Sequence, residues 1–172
     1  ATEPFLGVRP ATRYAFMVLL SPVGPYYAQG FAPVRIWVER RAVRAARGGV
    51  GAAKTAANYA ASLQAATAAK ARGYDQVLWT DAAEHRHLEE VGTMNLFLHV
   101  GDEIVTPPLE AGTILPGVTR ESVIRLLEER GETVVERPIT IDEVIDAHRA
   151  GALREVFGTG TAAVIAPVAA LG

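Results

Sequence analysis

The sequence predicts an α+β domain with a mixed or largely antiparallel sheet flanked by helices. Apolar residues make up 49% and charged residues 21% of the 172 residues, which is typical of one globular domain with a buried core. Strand and helix patterns follow one another, but not in the strict alternation of βαβ units. Two pairs of strand patterns are separated only by short turns, at Gly101-Asp102 and at GTGT, residues 158–161.

The predicted strands are apolar runs or show period-two alternation. Tyr14–Leu20 is a near-continuous apolar run and predicts a buried strand. Ser21–Pro33 is rich in Gly, Pro and aromatic residues, which is typical of a linker or active-site loop. The remaining strand predictions are Val34–Glu39, Gln76–Thr80, Met94–Val100, Ile104–Thr106, Thr133–Glu136, Leu153–Phe157 and Ala162–Ala166.

Three segments have helix patterns with recognisable ends. The alanine-rich segment Asn58–Arg72 is followed by Gly73, where a C-terminal cap belongs. Thr119–Arg130 is amphipathic and is followed by Gly131. The segment 140–150 begins with the Thr and Glu spacing of a capping box, which predicts its helix start.

Composition and charge exclude several classes of function. The chain has no cysteine, which excludes disulfides, thiolate catalysis and thiolate metal sites and suits a cytoplasmic protein. The formal net charge of -2 predicts no strong field for nucleic acid or for an anionic membrane. No apolar run reaches the roughly 20 residues that a membrane-spanning helix needs.

Lys54 is the first candidate for chemistry. It is one of only two lysines, and the other fifteen basic residues are arginine. Its neighbours in GAAKTAANYAAS, residues 51–62, are small, so a flat ligand has room to approach the backbone. A lysine amine can form a Schiff base and arginine cannot. The alternative is a solvated lysine near a helix start, and Tyr59 is either a second ligand contact or a half-buried aromatic.

Two carboxylates precede a predicted strand in HLEEVGTMNLF, residues 87–97. Glu90 facing inward would hold a cationic ring nitrogen through a charge-assisted hydrogen bond. The alternative is that Glu89 and Glu90 are exposed residues of a turn.

Two segments are candidates for anion binding. LPGVTR, residues 115–120, leads into a helix whose first N–H groups are free, although most helix starts bind nothing. VFGTGTAA, residues 156–163, offers turn N–H groups. Its match to the dinucleotide fingerprint is superficial, because a strand pattern with Pro167 follows where that motif requires a helix.

Two further clusters give weaker signals. His85 and His87 alternate across a polar hairpin, but no third ligand accompanies them, so we predict no metal site. The arginines of segment 40–47 predict a short solvated helix, with the alternative that one of them turns inward to an anion.

Together these motifs resemble a known family. The isolated Lys54 followed by Asn58-Tyr59, then EVGTMNLF, ILPGVTR and EVFGTGTAA in that order, resemble the fold-type IV pyridoxal-phosphate enzymes and most of all the branched-chain amino acid aminotransferases. The agreement extends to FLGVRPATR at 5–13 and PVGPYY at 22–27.

The resemblance implies pyridoxal 5'-phosphate as the cofactor and assigns residues to it. Lys54 is expected to form the Schiff base and shuttle a proton, Tyr59 to bind the 3-oxygen, and Glu90 to keep the ring nitrogen protonated. The remaining cofactor contacts that it implies are Val118, Thr119, Thr161 and, loosely, Arg44.

For the substrate, the resemblance implies that Thr93 and the N–H of Ala162 meet the carboxylate. Tyr26 is expected to border the pocket for the aliphatic side chain. The implied reaction is transamination of L-leucine, L-isoleucine and L-valine with 2-oxoglutarate. The alternatives are a D-amino acid aminotransferase, an aminodeoxychorismate lyase, or a cofactor-binding module without turnover.

The resemblance also implies a domain organisation. Residues 1–24 would end a small N-terminal domain, 25–33 form an interdomain loop, and 34–172 form the cofactor domain, incomplete at its C-terminus. Family members are roughly twice this length and dimeric, so we expect a homodimer of a longer polypeptide. Its implied partners are small amino acids and 2-oxo acids.

Overall fold

The structure, a computed structural model, describes residues 3–28 and 30–172. Within these residues the chain forms eight strands and three helices. In chain order they are β1 (Val34–Val38), α1 (Ala56–Ala71), β2 (Gln76–Thr80), β3 (Leu88–Val91), β4 (Met94–Val100), β5 (Glu103–Thr106), α2 (Val118–Glu129), β6 (Thr133–Glu136), α3 (Ile141–Arg149), β7 (Leu153–Gly160) and β8 (Val164–Leu171).

The sheet closes on itself. Its strand order is β3-β2-β1-β8-β7-β4-β5-β6, and an additional pairing of β3 with β4 joins six of these strands in a ring. Strand β1 is parallel to β2 and β8, and β5 is parallel to β6, whereas the other pairs are antiparallel. The predicted α+β class with a mixed, largely antiparallel and barrel-like sheet is confirmed.

Strand β4 is the centre of this arrangement. One of its edges pairs with β7 along Asn95–Val100, while the other pairs first with β3 and then with β5. Apolar side chains fill the main core beneath it, including Leu88, Val91, Leu96 and Leu98. A strand paired along both edges is buried, which explains its near-continuous apolar sequence.

Helices α1 and α2 pack on one side of the sheet, against Trp79 and Phe97, whereas α3 contributes Ile141 and Val144 to the main core. All three begin close to where the sequence predicts. Thr55 caps α1 by accepting a hydrogen bond from Ala57 N, and Thr140 caps α3 by accepting one from Glu143 N. Gly73 follows α1 with a φ of 81°, the left-handed conformation expected after a helix end. None of these helices, in the ranges described, is long and apolar enough to cross a membrane.

The prediction of a buried strand at Tyr14–Leu20 is wrong. This segment has no regular secondary structure, and Phe16 is 91% and Leu20 94% exposed. An isolated apolar run cannot satisfy its backbone groups as a strand unless another strand lies beside it. Within the part of the chain that the structure describes, the segment pairs with none of the eight strands.

Two other expectations are corrected. Segment 40–47 forms turns and not a short helix, and Arg44 points inward. Glu89 and Glu90 do not belong to an exposed turn, because they lie in β3, a strand that the sequence did not predict. Both are buried, at 5% and 4% exposure.

Candidate functional site

One small pocket brings together five of the residues predicted for the site. Its polar lining contains Arg44, Lys54, Tyr59, Glu90 and Thr93. The other lining residues are Ala53, Asn58, Ser62, Gly92 and Leu115. These residues come from the loop before α1, from α1 itself, from the β3–β4 hairpin and from the loop before α2.

The turn that carries Lys54 is held by hydrogen bonds and close packing. Buried Asn58 donates from Nδ2 to the carbonyl oxygens of Val50 and Ala53, at 2.8 and 2.9 Å. A Cβ at Gly51 would come within 2.6 Å of the backbone of Thr113, so only glycine fits there. The turn is therefore fixed although it has no regular structure.

The Lys54 side chain itself is exposed at the mouth of the pocket. Its Nζ atom lies 5.9 Å from the centroid of the Tyr59 ring. None of the ion pairs formed within residues 3–28 and 30–172 includes Lys54. The amine is thus available to a ligand in this pocket.

Glu90 is a buried carboxyl group with partly compensated charge. Burial raises the pKa of Glu90 to about 7, although Arg44, the N–H of Leu115 and Lys54 all favour the charged form. The Leu115 N–H donates to Glu90 Oε1 at 2.7 Å. A further cation beside this carboxyl group would lower the cost of its charge, so the site favours a cationic ligand.

Arg44 binds Glu90 from the inner side of the pocket. Its Nε atom is 3.2 Å from Glu90 Oε2, and the two side chains are only 8% and 5% exposed. The contact is an ion pair without an aligned hydrogen bond from Nε, and Nη2 donates instead to the carbonyl oxygen of Thr113. The guanidinium thus connects Glu90 to the loop that precedes α2.

Asn95 positions the start of α2 relative to Glu90. The two residues are cross-strand partners on β4 and β3. Asn95 Nδ2 donates to the carbonyl oxygen of Leu115 at 2.8 Å, while Glu90 accepts the N–H of the same residue. A Cβ at Gly117 would overlap Asn95 Oδ1, so the chain passes close to this side chain.

Val118 and Thr119 begin the first turn of α2, a few residues after Leu115, whose backbone is bound by Asn95 and Glu90. The N-cap is Gly117, which supplies no side-chain acceptor to the first N–H groups. Uncapped N–H groups and the positive end of the helix dipole favour an anion there.

Two turns of the sheet lie side by side at this end of the barrel. Thr93 is in the two-residue connection between β3 and β4, and Thr161 and Ala162 are in the turn between β7 and β8. Asn95 pairs with Thr159, which brings the turns together, and a Cβ at Gly160 would lie 3.8 Å from the carbonyl oxygen of Thr93.

Tyr26 and the histidine pair were also singled out from the sequence. Tyr26 is not among the described residues that line the pocket, and its ring packs edge-on against Tyr27, with centroids 4.8 Å apart. His87 Nδ1 lies 3.5 Å from Asp81. In the described residues no three metal-binding side chains of the His, Cys, Asp or Glu type come together.

Sequence reasoning missed the residues that support the site, above all Asn95 and Thr113, and it did not recognise Asn58 as an anchor. Asn95 had a signal, because it is a polar residue within an otherwise apolar strand pattern. Thr113 gave none, since its contact with Arg44 joins residues far apart in the sequence.

Solved structures share this fold. The branched-chain aminotransferase of Thermoproteus uzoniensis with norvaline is 34% identical with a TM-score of 0.76, and 88% of this chain matches 47% of that one. The Escherichia coli branched-chain amino acid aminotransferase is 30% identical with the same score and coverage. A further branched-chain amino acid aminotransferase, complexed with N-(5'-phosphopyridoxyl)-L-glutamate, is 31% identical with a TM-score of 0.68, over 81% of this chain and 43% of that one. The fold is that of the fold-type IV aminotransferases.

The sequence assigns the chain to a family. Residues 3–171 match the family model described as amino-transferase class IV, and the chain belongs to this family. It is 57% identical to branched-chain-amino-acid aminotransferase 2 of Bacillus subtilis and 51% identical to the enzyme of Mycobacterium tuberculosis, over 99% and 98% of this chain. In both cases it covers 47% of the relative, so the chain spans about half the length of the curated relatives that it matches. The family resemblance of the motifs is confirmed.

Proposed function

We propose that this chain is the cofactor-binding part of a branched-chain amino acid aminotransferase that uses pyridoxal 5'-phosphate. Its reaction is transamination of L-leucine, L-isoleucine and L-valine with 2-oxoglutarate. One observation carries the proposal: the amine of Lys54 and the buried carboxyl group of Glu90 line the same pocket. The names of the relatives at 51–57% identity support the choice of substrates.

The charges of the pocket lining suit the cofactor. The cofactor has a pyridine ring that is cationic when protonated, and Glu90 is a buried carboxyl group whose charge further positive charge would stabilise. Ala53 and Gly92 in the lining leave space for a flat ring. The uncapped start of α2 suits the phosphate group.

The ring contacts follow from this fit. Lys54 holds the cofactor covalently through Nζ, and Tyr59 donates a hydrogen bond to the ring 3-oxygen. Glu90 would accept a hydrogen bond from the protonated ring nitrogen, and Arg44 keeps Glu90 in place. The bound cofactor supplies an electron sink that acidifies the Cα–H of the amino acid.

The phosphate and substrate contacts come from the start of α2, from the β3–β4 turn and from the β7–β8 turn. Val118, Thr119 and Thr161 bind the phosphate, the first two through the start of α2. Thr93 and the N–H of Ala162 bind the substrate carboxylate. The free Lys54 amine would serve as the base that takes the proton from Cα of the amino acid.

The whole protein is proposed to be longer and dimeric. Residues 1–24 end a small N-terminal domain, 25–33 connect the domains, and 34–172 bind the cofactor. Tyr26, in the connection, borders the pocket for the aliphatic side chain. Tyr26 is 44% exposed, so the rest of the protein would complete this wall of the pocket.

The two lysines of the chain offer a direct test. Borohydride reduction of the cofactor-loaded protein should leave a phosphopyridoxyl group on the Lys54 peptide, as detected by mass spectrometry. The change Lys54→Arg keeps the positive charge but cannot form the bond, so label and turnover should both disappear. Lys70→Arg is the matched control and should change neither.

A substrate screen separates the related reactions. With the full natural polypeptide, L-leucine should convert the cofactor to its amine form and D-alanine should not, and aminodeoxychorismate should not be cleaved, a reaction that leaves the cofactor unchanged. Conversion by D-alanine alone, or cleavage of aminodeoxychorismate alone, would contradict the proposed substrate class. A label on Lys54 without any conversion would indicate binding without turnover.

A further inference from the structure

Glu89 carries the second buried carboxyl group of β3, and the proposed function assigns it no role. It is 5% exposed, and its Oε2 atom is fully buried without a hydrogen-bond partner. A buried carboxyl group is costly unless its charge is compensated or it carries a proton. Its position therefore requires a structural reason.

A β-bulge provides that reason. Leu78 of β2 pairs with Val91 of β3, but Thr80 pairs with Leu88, so β3 has one residue more than β2 in this interval. Glu89 and Glu90 together face the single residue Trp79. A bulge of this kind redirects side chains and is common beside functional sites.

The core shows the effect of the bulge. Leu88 and Val91 are three residues apart, and in a regular strand they would lie on opposite faces. Both nevertheless pack into the same core cluster. The two residues between them are consequently turned away from this core, and Glu90 lies 3.2 Å from Arg44.

Arg44 forms an ion pair with only one of the two carboxyl groups. Its Nε lies 3.2 Å from Glu90 Oε2, whereas none of the ion pairs within residues 3–28 and 30–172 includes Glu89. Burial raises the pKa of Glu89, while Thr113 and Arg44 oppose this rise and Asp81 adds to it. A second buried carboxyl group without an ion-pair partner thus lies beside the Arg44–Glu90 pair.

We propose that Glu89 is a positioning residue for the candidate site: its buried carboxyl group, placed beside Glu90 by the bulge, opposes the charge of Glu90 and attracts a cationic ring. The inference rests on the proposed function for the nature of that ring. Its physical basis does not, because like charges on adjacent buried side chains repel each other and both attract a cation whatever its chemical nature.

All charged groups that face Glu90 enter this balance. They are Arg44 and Lys54, which favour its charged form, and Glu89, which opposes it. The Leu115 N–H also favours the charged form. Glu89→Gln keeps the size of the side chain, removes its charge and replaces one acceptor oxygen with an amide donor.

The first test uses the cofactor-free protein. With glutamate labelled at the side-chain carboxyl carbon, NMR follows the titration of Glu90, whose resonance is identified by its loss in Glu90→Gln. Glu89→Gln should lower the midpoint of Glu90 by about half a pH unit or more. Glu84→Gln, which removes an exposed carboxyl group from the loop before β3, should leave it unchanged.

Two further measurements separate charge from packing. Glu89→Asp retains the charge and should return the Glu90 midpoint towards that of the unsubstituted protein. If Glu89→Gln does not fold, the unsubstituted protein still decides the question, because both carboxyl resonances should record shared titration steps. Independent titration of the two groups, or an unchanged midpoint in Glu89→Gln, would overturn the inference.

Cofactor affinity links this coupling to the proposed function. At a pH well above 7, where Glu90 is charged in both proteins, Glu89→Gln should weaken binding of pyridoxal 5'-phosphate about threefold to tenfold, because the direct attraction between Glu89 and the cationic ring is lost. Failure of the unsubstituted protein to bind this cofactor would overturn the proposed function, whereas the NMR titrations would still decide the charge coupling.

Discussion

Two apolar segments of similar sequence character have opposite fates in this protein. Tyr14–Leu20 and Met94–Val100 are both near-continuous apolar runs of seven residues. The second is β4, with its first five residues buried, whereas the first has no regular structure and side chains exposed by 72% or more where they are large and apolar.

Pairing explains the difference. Strand β4 has β7 on one edge and β3 and β5 on the other, so its backbone groups are satisfied and both its faces are covered. Tyr14–Leu20 pairs with none of the described strands. Apolar character therefore favours a strand, but only neighbouring strands stabilise one.

The largest expected effect compares one phenylalanine from each segment. Phe97 is fully buried and stacks on Phe157 with ring centroids 5.1 Å apart, so Phe97→Ala should lower the free energy of unfolding by about 3–5 kcal/mol. Phe16→Ala is the matched control and should change it by less than about 0.5 kcal/mol. Urea denaturation measures both, and equal losses would contradict the contrast.

The comparison of buried and exposed groups extends to charge, because the buried carboxyl group of Glu90 lies on β3, next to β4. The pKa of Glu90 in the folded protein is about 7, above the 4.5 of a free side chain. Between these values the folded protein binds more protons than the unfolded one, so the free energy of unfolding falls as the pH rises through this window.

Glu90→Gln should remove the share of this pH dependence that Glu90 contributes in the cofactor-free protein, a change of about 3 kcal/mol across the window, and should leave the share of Glu89, whose pKa is raised as well. Urea denaturation at several pH values between 4.5 and 7 measures it. Glu110→Gln, on the exposed loop before α2, is the control. Curves of equal slope for Glu90→Gln and the unsubstituted protein would contradict the raised pKa.

A smaller effect concerns a segment that is irregular but anchored. The Lys54 turn resembles Tyr14–Leu20 in lacking regular structure, yet Asn58 donates to two of its carbonyl oxygens. Asn58→Ala should cost about 1–3 kcal/mol because both acceptors lose their partner. Ser62→Ala on the same helix removes only a bond to Tyr59 within the helix and should cost less. Equal costs would show that the turn is held by other contacts.

The same turn shows which parts of the site were predictable. Lys54, Tyr59, Glu90 and Thr93 were selected from motifs and line one pocket. Asn95 and Thr113 were not selected, since their roles depend on strand pairing and on a contact between distant loops. Arg44 was singled out only by the family resemblance, and the structure alone gives its place beside Glu90.

By itself, the sequence determined the local structure: the helix starts at Thr55 and Thr140, the glycine after α1, and most of the strands. These features depend on residues within a few positions of each other, so local propensity and capping decide them. The tertiary structure alone decided the ring closure of β3 on β4, the bulge that turns two glutamates away from the main core, and the exposure of Tyr14–Leu20. Each depends on which strands become neighbours, and long-range pairing is not specified by any single segment.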